Sequence, residues 1–173
     1  MKTADFDYHL PPERIAQHPP AVRGHSRLLH LAPSGDELIH GQVTDLVSWL
    51  RPGDLLVFND TKVVPARVFG QKETGGRIEV LLERALDTQA ALVQVRASKA
   101  PKPGSTLLLG PDAVPVRVVG RRDALFEVVF PPGQEALAFF EAVGEMPLPP
   151  YIERAADAED RDRYQTVFAR HPG

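Results

Sequence analysis

The chain has 173 residues, 43% hydrophobic and 25% charged, a globular rather than a disordered composition with room for one ordinary domain or two small ones. It has no cysteine, which excludes disulfides and thiolate metal sites, and its net charge of −3 does not advertise a nucleic-acid binder. No apolar run nears the roughly 18 residues of a membrane span, and Met1-Lys2-Thr3-Ala4-Asp5 lacks a signal peptide's apolar core, so a cytoplasmic protein without membrane contact is expected.

In chain order, residues 26–31 and 37–40 read as a hairpin, joined across Ala32-Pro33-Ser34-Gly35-Asp36 by Pro and Gly turn chemistry. Thr44 can cap a short helix in which Val43, Leu46, Val47 and Leu50 fall at helical spacing, and Pro52-Gly53 ends it. Leu55-Leu56-Val57-Phe58 is a continuous apolar run suited to a buried strand. It delivers the chain to a polar knot, Asn59-Asp60-Thr61-Lys62, and a second apolar run begins at Val63. Six β-rich segments follow at 63–71, 77–83, 91–97, 106–109, 114–119 and 125–130, separated by turns such as Glu73-Thr74-Gly75-Gly76. Period-two alternation is clear in Ile78/Val80/Leu82 and Phe126/Val128/Phe130. Strands of this number and spacing predict a closed antiparallel barrel, since closure removes unpaired edges.

Helix returns at Ala136, Phe139, Phe140 and Val143, with Gly144 as its stop. Pro147, Pro149 and Pro150 enforce an extended linker. Asp160 can cap a last helix in which Tyr164, Val167, Phe168 and His171 share a face. The fold class is therefore mixed α+β. A partial α/β main domain (1–62, resuming at 147–173) carries an inserted six-stranded antiparallel β-barrel (63–146).

Polar residues held at the end of a strand suit a binding site, because the strand fixes the backbone and the loop stays open. Read alone, Asn59-Asp60-Thr61 fits a turn satisfied by its own side chains better than a site. Asp60 is the carboxylate best placed as a general base, because partial desolvation beside a buried strand suits that role; its bland role is to cap the turn. Lys62 and Arg67 can hold a carboxylate or a phosphate, Lys as a point charge and Arg as a bidentate fork. Residues 62–104 carry eight basic against four acidic side chains, a local excess that can meet phosphates even in an acidic chain, or that simply solvates a strand surface. The six histidines show no helical metal-site spacing, and no metal is expected. No phosphate loop, nucleophile elbow or Gly-rich methyltransferase loop is present.

Six blocks occur in one order: Phe6-Asp7-Tyr8-His9-Leu10-Pro11, Ser26-Arg27-Leu28-Leu29, residues 52–62 (Pro-Gly-Asp-Leu-Leu-Val-Phe-Asn-Asp-Thr-Lys), Gly75-Gly76-Arg77-Ile78-Glu79-Val80-Leu81, residues 96–104 (Arg-Ala-Ser-Lys-Ala-Pro-Lys-Pro-Gly) and Met146-Pro147-Leu148-Pro149-Pro150-Tyr151-Ile152. No single block is specific, but together they resemble the S-adenosylmethionine:tRNA ribosyltransferase-isomerase (QueA) family of queuosine biosynthesis. The resemblance covers essentially the whole chain. Family members continue past a segment like Tyr164-Gln165-Thr166-Val167-Phe168 into a Pro-Thr-Ala-Gly-Leu-His-Phe motif and a second half, whereas this sequence stops at His171-Pro172-Gly173. An N-terminal part with little activity of its own is therefore expected, with apolar faces at 55–58 and on the last helix short of cover.

The resemblance implies an α/β main domain with a barrel insert, and a monomer is expected. It implies transfer of the ribosyl part of S-adenosylmethionine to the aminomethyl arm of a deazaguanine at the tRNA wobble position. The sugar rearranges to give epoxyqueuosine, and adenine and methionine leave. S-adenosylmethionine is then a consumed substrate, and no cofactor is expected. In this reading Asp60 and Lys62 are catalytic, although an Asn at position 60 also fits the family pattern. Asn59, Thr61, Arg67 and Gln165 hold substrate. Arg23, Ser26, Arg27, Arg96, Lys99, Lys102 and Tyr151 meet tRNA, against the alternatives of a plain surface hairpin for the first three, solvation for the next three and packing for Tyr151. The competing class is a non-catalytic β-barrel RNA-binding module.

Overall fold

The computed structural model describes residues 1–32, 35 and 37–173. The chain divides into two compact units, Met1–Phe58 with Pro149–Arg154, and Asn59–Leu148 with Ala155–Gly173. No helix among the described residues is long and apolar enough to cross a membrane.

In the first unit, β1 (Arg27–Leu31) and β2 (Leu38–Gln42) form the expected hairpin, with Arg27 opposite Gln42 and Leu31 opposite Leu38. The predicted turn falls partly on Pro33, Ser34 and Asp36, which lie outside the described residues. The segment expected as an α-helix capped by Thr44 is a 3-10 helix, Val43–Trp49. Its cap is made elsewhere: the Asp45 carboxylate accepts the Gln42 N–H at 2.8 Å. The helix begins at Val43, which puts Thr44 inside its first turn rather than at the cap. Trp49 stacks on His30 with ring centroids 4.4 Å apart. Gln17 ties in the returning segment: its amide donates to the Tyr151 carbonyl at 3.0 Å and accepts the Glu153 N–H at 2.6 Å. The expected buried strand at 55–58 does not form, and all four residues are exposed. Among the described residues no strand pairs with it, and an extended apolar run without a ladder has no neighbouring strand to cover its side chains.

The second unit is built on a closed barrel. Its strands are β4 (Arg67–Lys72), β5 (Arg77–Ala85), β6 (Ala90–Ala97), β7 (Thr106–Leu109), β8 (Val114–Arg122) and β9 (Leu125–Val129). They run β4-β5-β6-β9-β8-β7 around the barrel, all neighbours antiparallel, and β7 closes on β4 with Gly70 opposite Leu109. Closure needs glycine at position 70, because a Cβ there would collide with the Leu108 carbonyl oxygen. Register shifts after Leu82 in β5 and Val118 in β8 mark bulges, which supply the local bending that a small barrel needs. Of the alternating residues read from sequence, Ile78, Val80, Phe126, Val128 and Phe130 are buried and Leu82 is half-buried, and Val93, Leu107, Val116 and Val118 join them in the core.

Helix α1 (Ala136–Val143) completes this core, with Phe139 and Phe140 packing on Phe130 at centroid distances of 5.2 and 6.1 Å. Gly144 ends it without a left-handed conformation; it is required because a Cβ there would strike the Pro65 carbonyl. The long last helix is not formed. Helix α2 (Asp160–Arg163) is a single turn, so Tyr164, Val167, Phe168 and His171 share no helical face. The Asp157 carboxylate accepts the Asp160 N–H at 3.1 Å while Asp160 accepts that of Asp157 at 2.8 Å. This reciprocal cap starts a helix, but Thr166 onward leaves it to bring 171–172 beside the polar knot.

Candidate active site

The polar knot is held by a short parallel ribbon. β3 (Thr61–Lys62) pairs with β10 (His171–Pro172), Thr61 beside His171 and Lys62 beside Pro172. The Asp60 carbonyl accepts the N–H groups of Arg170 and His171 at 2.7 and 3.2 Å, and Gly173 donates to the Lys62 carbonyl at 3.0 Å. Just beyond, Gln165 acts as a substitute strand: its amide oxygen accepts the Val63 N–H at 2.8 Å and its NH₂ donates to the Val63 carbonyl at 2.7 Å.

Alternation along the ribbon sends neighbours to opposite faces. Lys62 and Pro172 line one hollow of about 280 Å³ with Gln165, Arg161 and Glu141, against an apolar wall that includes Val63, Val64 and Met146. Thr61 and Gly173 line a second, of about 320 Å³, walled by residues such as Val64, Leu82 and Leu137. Thr61 and Lys62 thus face different hollows.

Asn59 and Asp60 do something else. The Asn59 side-chain oxygen accepts the Thr61 N–H at 2.9 Å, which makes the turn that the bland reading expected. The Asp60 side chain is 56% exposed, so the burial that recommended it as a base is absent, because the strand that was to supply it does not form. In its place, Asp60 Oδ2 lies 3.6 Å from His171 Nε2. Arg67 is committed to the barrel unit: its Nε lies 3.1 Å from the Glu79 carboxylate and its Nη2 donates to the Leu148 carbonyl at 3.0 Å. It lines neither of the two hollows.

Of the residues matched to tRNA, Lys99 and Lys102 converge with Lys72 around a third hollow of about 210 Å³, where Lys72 Nζ donates to the Lys99 carbonyl at 2.9 Å. Arg96 is exposed on β6, opposite Glu79 in register. In the other unit Arg23, Ser26 and Arg27 are exposed, and the Ser26 carbonyl accepts the Val43 N–H at 3.0 Å. Tyr151 is exposed as well. Among the described residues no cluster of three or more histidine or carboxylate side chains is arranged to hold a metal.

Sequence reasoning missed Glu141, Arg161, His171 and Lys72. Only tertiary closure brings 62, 141 and 161 to one hollow, and no local pattern encodes it. The signal for His171 was present, since the residues just before the end follow the same resemblance, but it had been assigned to a helix face.

Residues 3–173 match the family model described as queuosine biosynthesis protein. The chain belongs to that family. The family contains a curated relative from Azoarcus sp. (strain BH72), named S-adenosylmethionine:tRNA ribosyltransferase-isomerase, which is 56% identical over all 173 residues of this chain. The chain spans about half of that relative's length, 49%. A crystal structure of S-adenosylmethionine tRNA ribosyltransferase from Thermotoga maritima is 36% identical, covering 80% of this chain and 48% of that one, with a TM-score of 0.40.

Proposed function

We infer that this chain is one part of a cytoplasmic, monomeric tRNA ribosyltransferase-isomerase that consumes S-adenosylmethionine. The observation that carries the reading is the 56% identity to the Azoarcus relative over every residue of the chain. The transferred ribosyl group forms a bond to the aminomethyl nitrogen of the deazaguanine, the sugar closes to the epoxy-cyclopentanediol of epoxyqueuosine, and adenine and methionine depart. The sulfonium acidifies the adjacent ribose carbon and makes methionine a good leaving group, so the protein must supply a base, a proton donor for adenine, and donors for the ribose hydroxyls. Asp60, beside His171, is the proposed base. Lys62 is the proposed electrostatic partner, Thr61 and Gln165 line the substrate hollows, and Asn59 shapes the turn between them. Lys99 and Lys102, with Arg96, offer cations to the tRNA backbone.

Turnover in this reading needs residues corresponding to the half of the relative that this chain does not span. The test supplies S-adenosylmethionine and tRNA bearing the aminomethyl-deazaguanine. It measures adenine release by the chain alone and by the chain joined to the remaining half of the Azoarcus sequence. Release only by the joined protein is expected. The barrel-end cluster of Lys72, Lys99 and Lys102 favours one second reading, an RNA-binding module without chemistry. Salt-sensitive tRNA binding with no adenine from either protein would select it.

A further inference from the structure

The hollow beneath Lys62 has a charge pattern that ribose chemistry does not explain. Three ionisable side chains from three different elements line it: Lys62 from β3, Glu141 from α1 and Arg161 from α2. Two are cations and one is an anion. Arg161 is anchored, since its Nη2 donates to the Gly144 carbonyl at 2.9 Å, and that bond uses one of the guanidinium's five N–H donors. The rest of the wall is apolar and includes Val63, Val64 and Met146. The charged part of the lining is therefore zwitterionic, and the apolar part suits a short unbranched chain.

At about 280 Å³ the hollow has room for an amino acid.

We propose that this hollow is an α-amino-acid subsite: Lys62 and Arg161 hold the carboxylate, Glu141 holds the ammonium, and Val63, Val64 and Met146 cover a thioether side chain. A carboxylate between a point charge and a planar fork, with an ammonium on the facing carboxylate, pairs every charge at the zwitterionic end. Arg161 thereby takes the role expected of Arg67, whose guanidinium is engaged by Glu79 and the Leu148 carbonyl. The amino-acid chemistry stands on the hollow itself. Identifying its source as the methionyl end of S-adenosylmethionine rests on the ribosyl-transfer reading.

The experiment follows backbone and side-chain amide resonances of the 173-residue chain during titration. The probes are L-methionine, methionine methyl ester, which lacks the carboxylate charge, 4-(methylthio)butyrate, which lacks the amine, and S-adenosylmethionine. L-methionine is expected to shift the Gln165 side-chain amide and the Val63 and Val64 amides, and the two truncated probes to bind about tenfold more weakly, as loss of one charged hydrogen bond implies. Lys62→Met should weaken L-methionine about tenfold; Lys62 is chosen over Arg161 because Arg161 also holds the Gly144 carbonyl. Glu141→Gln is the sharper variant, weakening L-methionine about tenfold while leaving 4-(methylthio)butyrate unchanged. No shift from L-methionine at millimolar concentration, or equal weakening of both probes by Glu141→Gln, overturns the subsite. S-adenosylmethionine shifting the same amides supports the methionyl source; its failure to compete with bound L-methionine overturns that source and assigns a free amino acid. Adenine release by the joined protein tests ribosyl transfer separately, so failure of one reading does not masquerade as failure of the other.

Discussion

Ala90-Ala91-Leu92-Val93 and Leu55-Leu56-Val57-Phe58 are two four-residue apolar runs in one chain. The first is 8, 0, 7 and 0% exposed; the second is 86, 45, 85 and 53% exposed. Hydrophobicity does not separate them. The first run lies on β6, which has a ladder on each side, to β5 and to β9. The second has no ladder among the described residues. The contrast extends to the units that hold them. The barrel unit contains a contiguous core, whereas none of the described residues in Met1–Phe58 or Pro149–Arg154 is buried. An apolar run states a need for cover, and topology decides whether the chain meets it.

The sharpest way to break this comparison is to damage the covered side. Phe140 is fully buried against Phe130 and Phe139. Phe140→Ala removes a large aromatic side chain from a packed core and should cost about 3–5 kcal/mol, seen as a lower denaturation midpoint and faster amide exchange at Val80 and Val93. A cost under about 1 kcal/mol would mean that the core around α1 is loosely packed, and the distinction between the units would weaken.

The same contrast explains what could be read from the sequence. The barrel was legible because each strand's alternation and each turn are local, and closure follows from having six such strands with no edge to spare. Ile78, Val80, Phe126 and Val128 point inward as their spacing requires. The strand at 55–58 and the helix after Asp160 were misread because both depend on distant partners. The first lacks a ladder, and the second yields to pairing of His171 and Pro172 with Thr61 and Lys62. The site was legible in the same uneven way. Lys62 stood out as a polar residue at a strand end and Gln165 as a polar residue on the expected last helix, but Glu141 and Arg161 share their hollow only through tertiary contact.

A smaller effect probes the join between barrel and ribbon. Gln165 supplies both a donor and an acceptor to the Val63 backbone. Gln165→Leu keeps much of the side-chain bulk and leaves the Val63 N–H and carbonyl without these partners. It should cost about 1–3 kcal/mol, the penalty for unsatisfied, partly buried polar groups. Amide exchange should quicken at Val63 and in the Thr61–Lys62 ribbon while Val93, inside the barrel, stays protected. Uniform loss of protection across the barrel would show that Gln165 supports the whole unit rather than the ribbon alone.

The smallest expected effect is on the uncovered side, and there the near-zero value is the informative result. Val57 is 85% exposed, so Val57→Ser removes apolar surface that is already in water. Both states of this chain lose the same hydration cost, and the stability change should stay within about 0.5 kcal/mol. What should change is adhesion. Val57 stands beside Leu55, Leu56 and Phe58, all exposed, in a patch of the kind that binds hydrophobic dyes. Val57→Ser should therefore reduce dye fluorescence with an unaltered denaturation midpoint, whereas serine at the equally apolar Val93 should lower the midpoint sharply and raise dye binding as core is released. A loss of more than about 1 kcal/mol from Val57→Ser would mean that residues 55–58 are covered in solution, and the contrast in cover between the two apolar runs would fail.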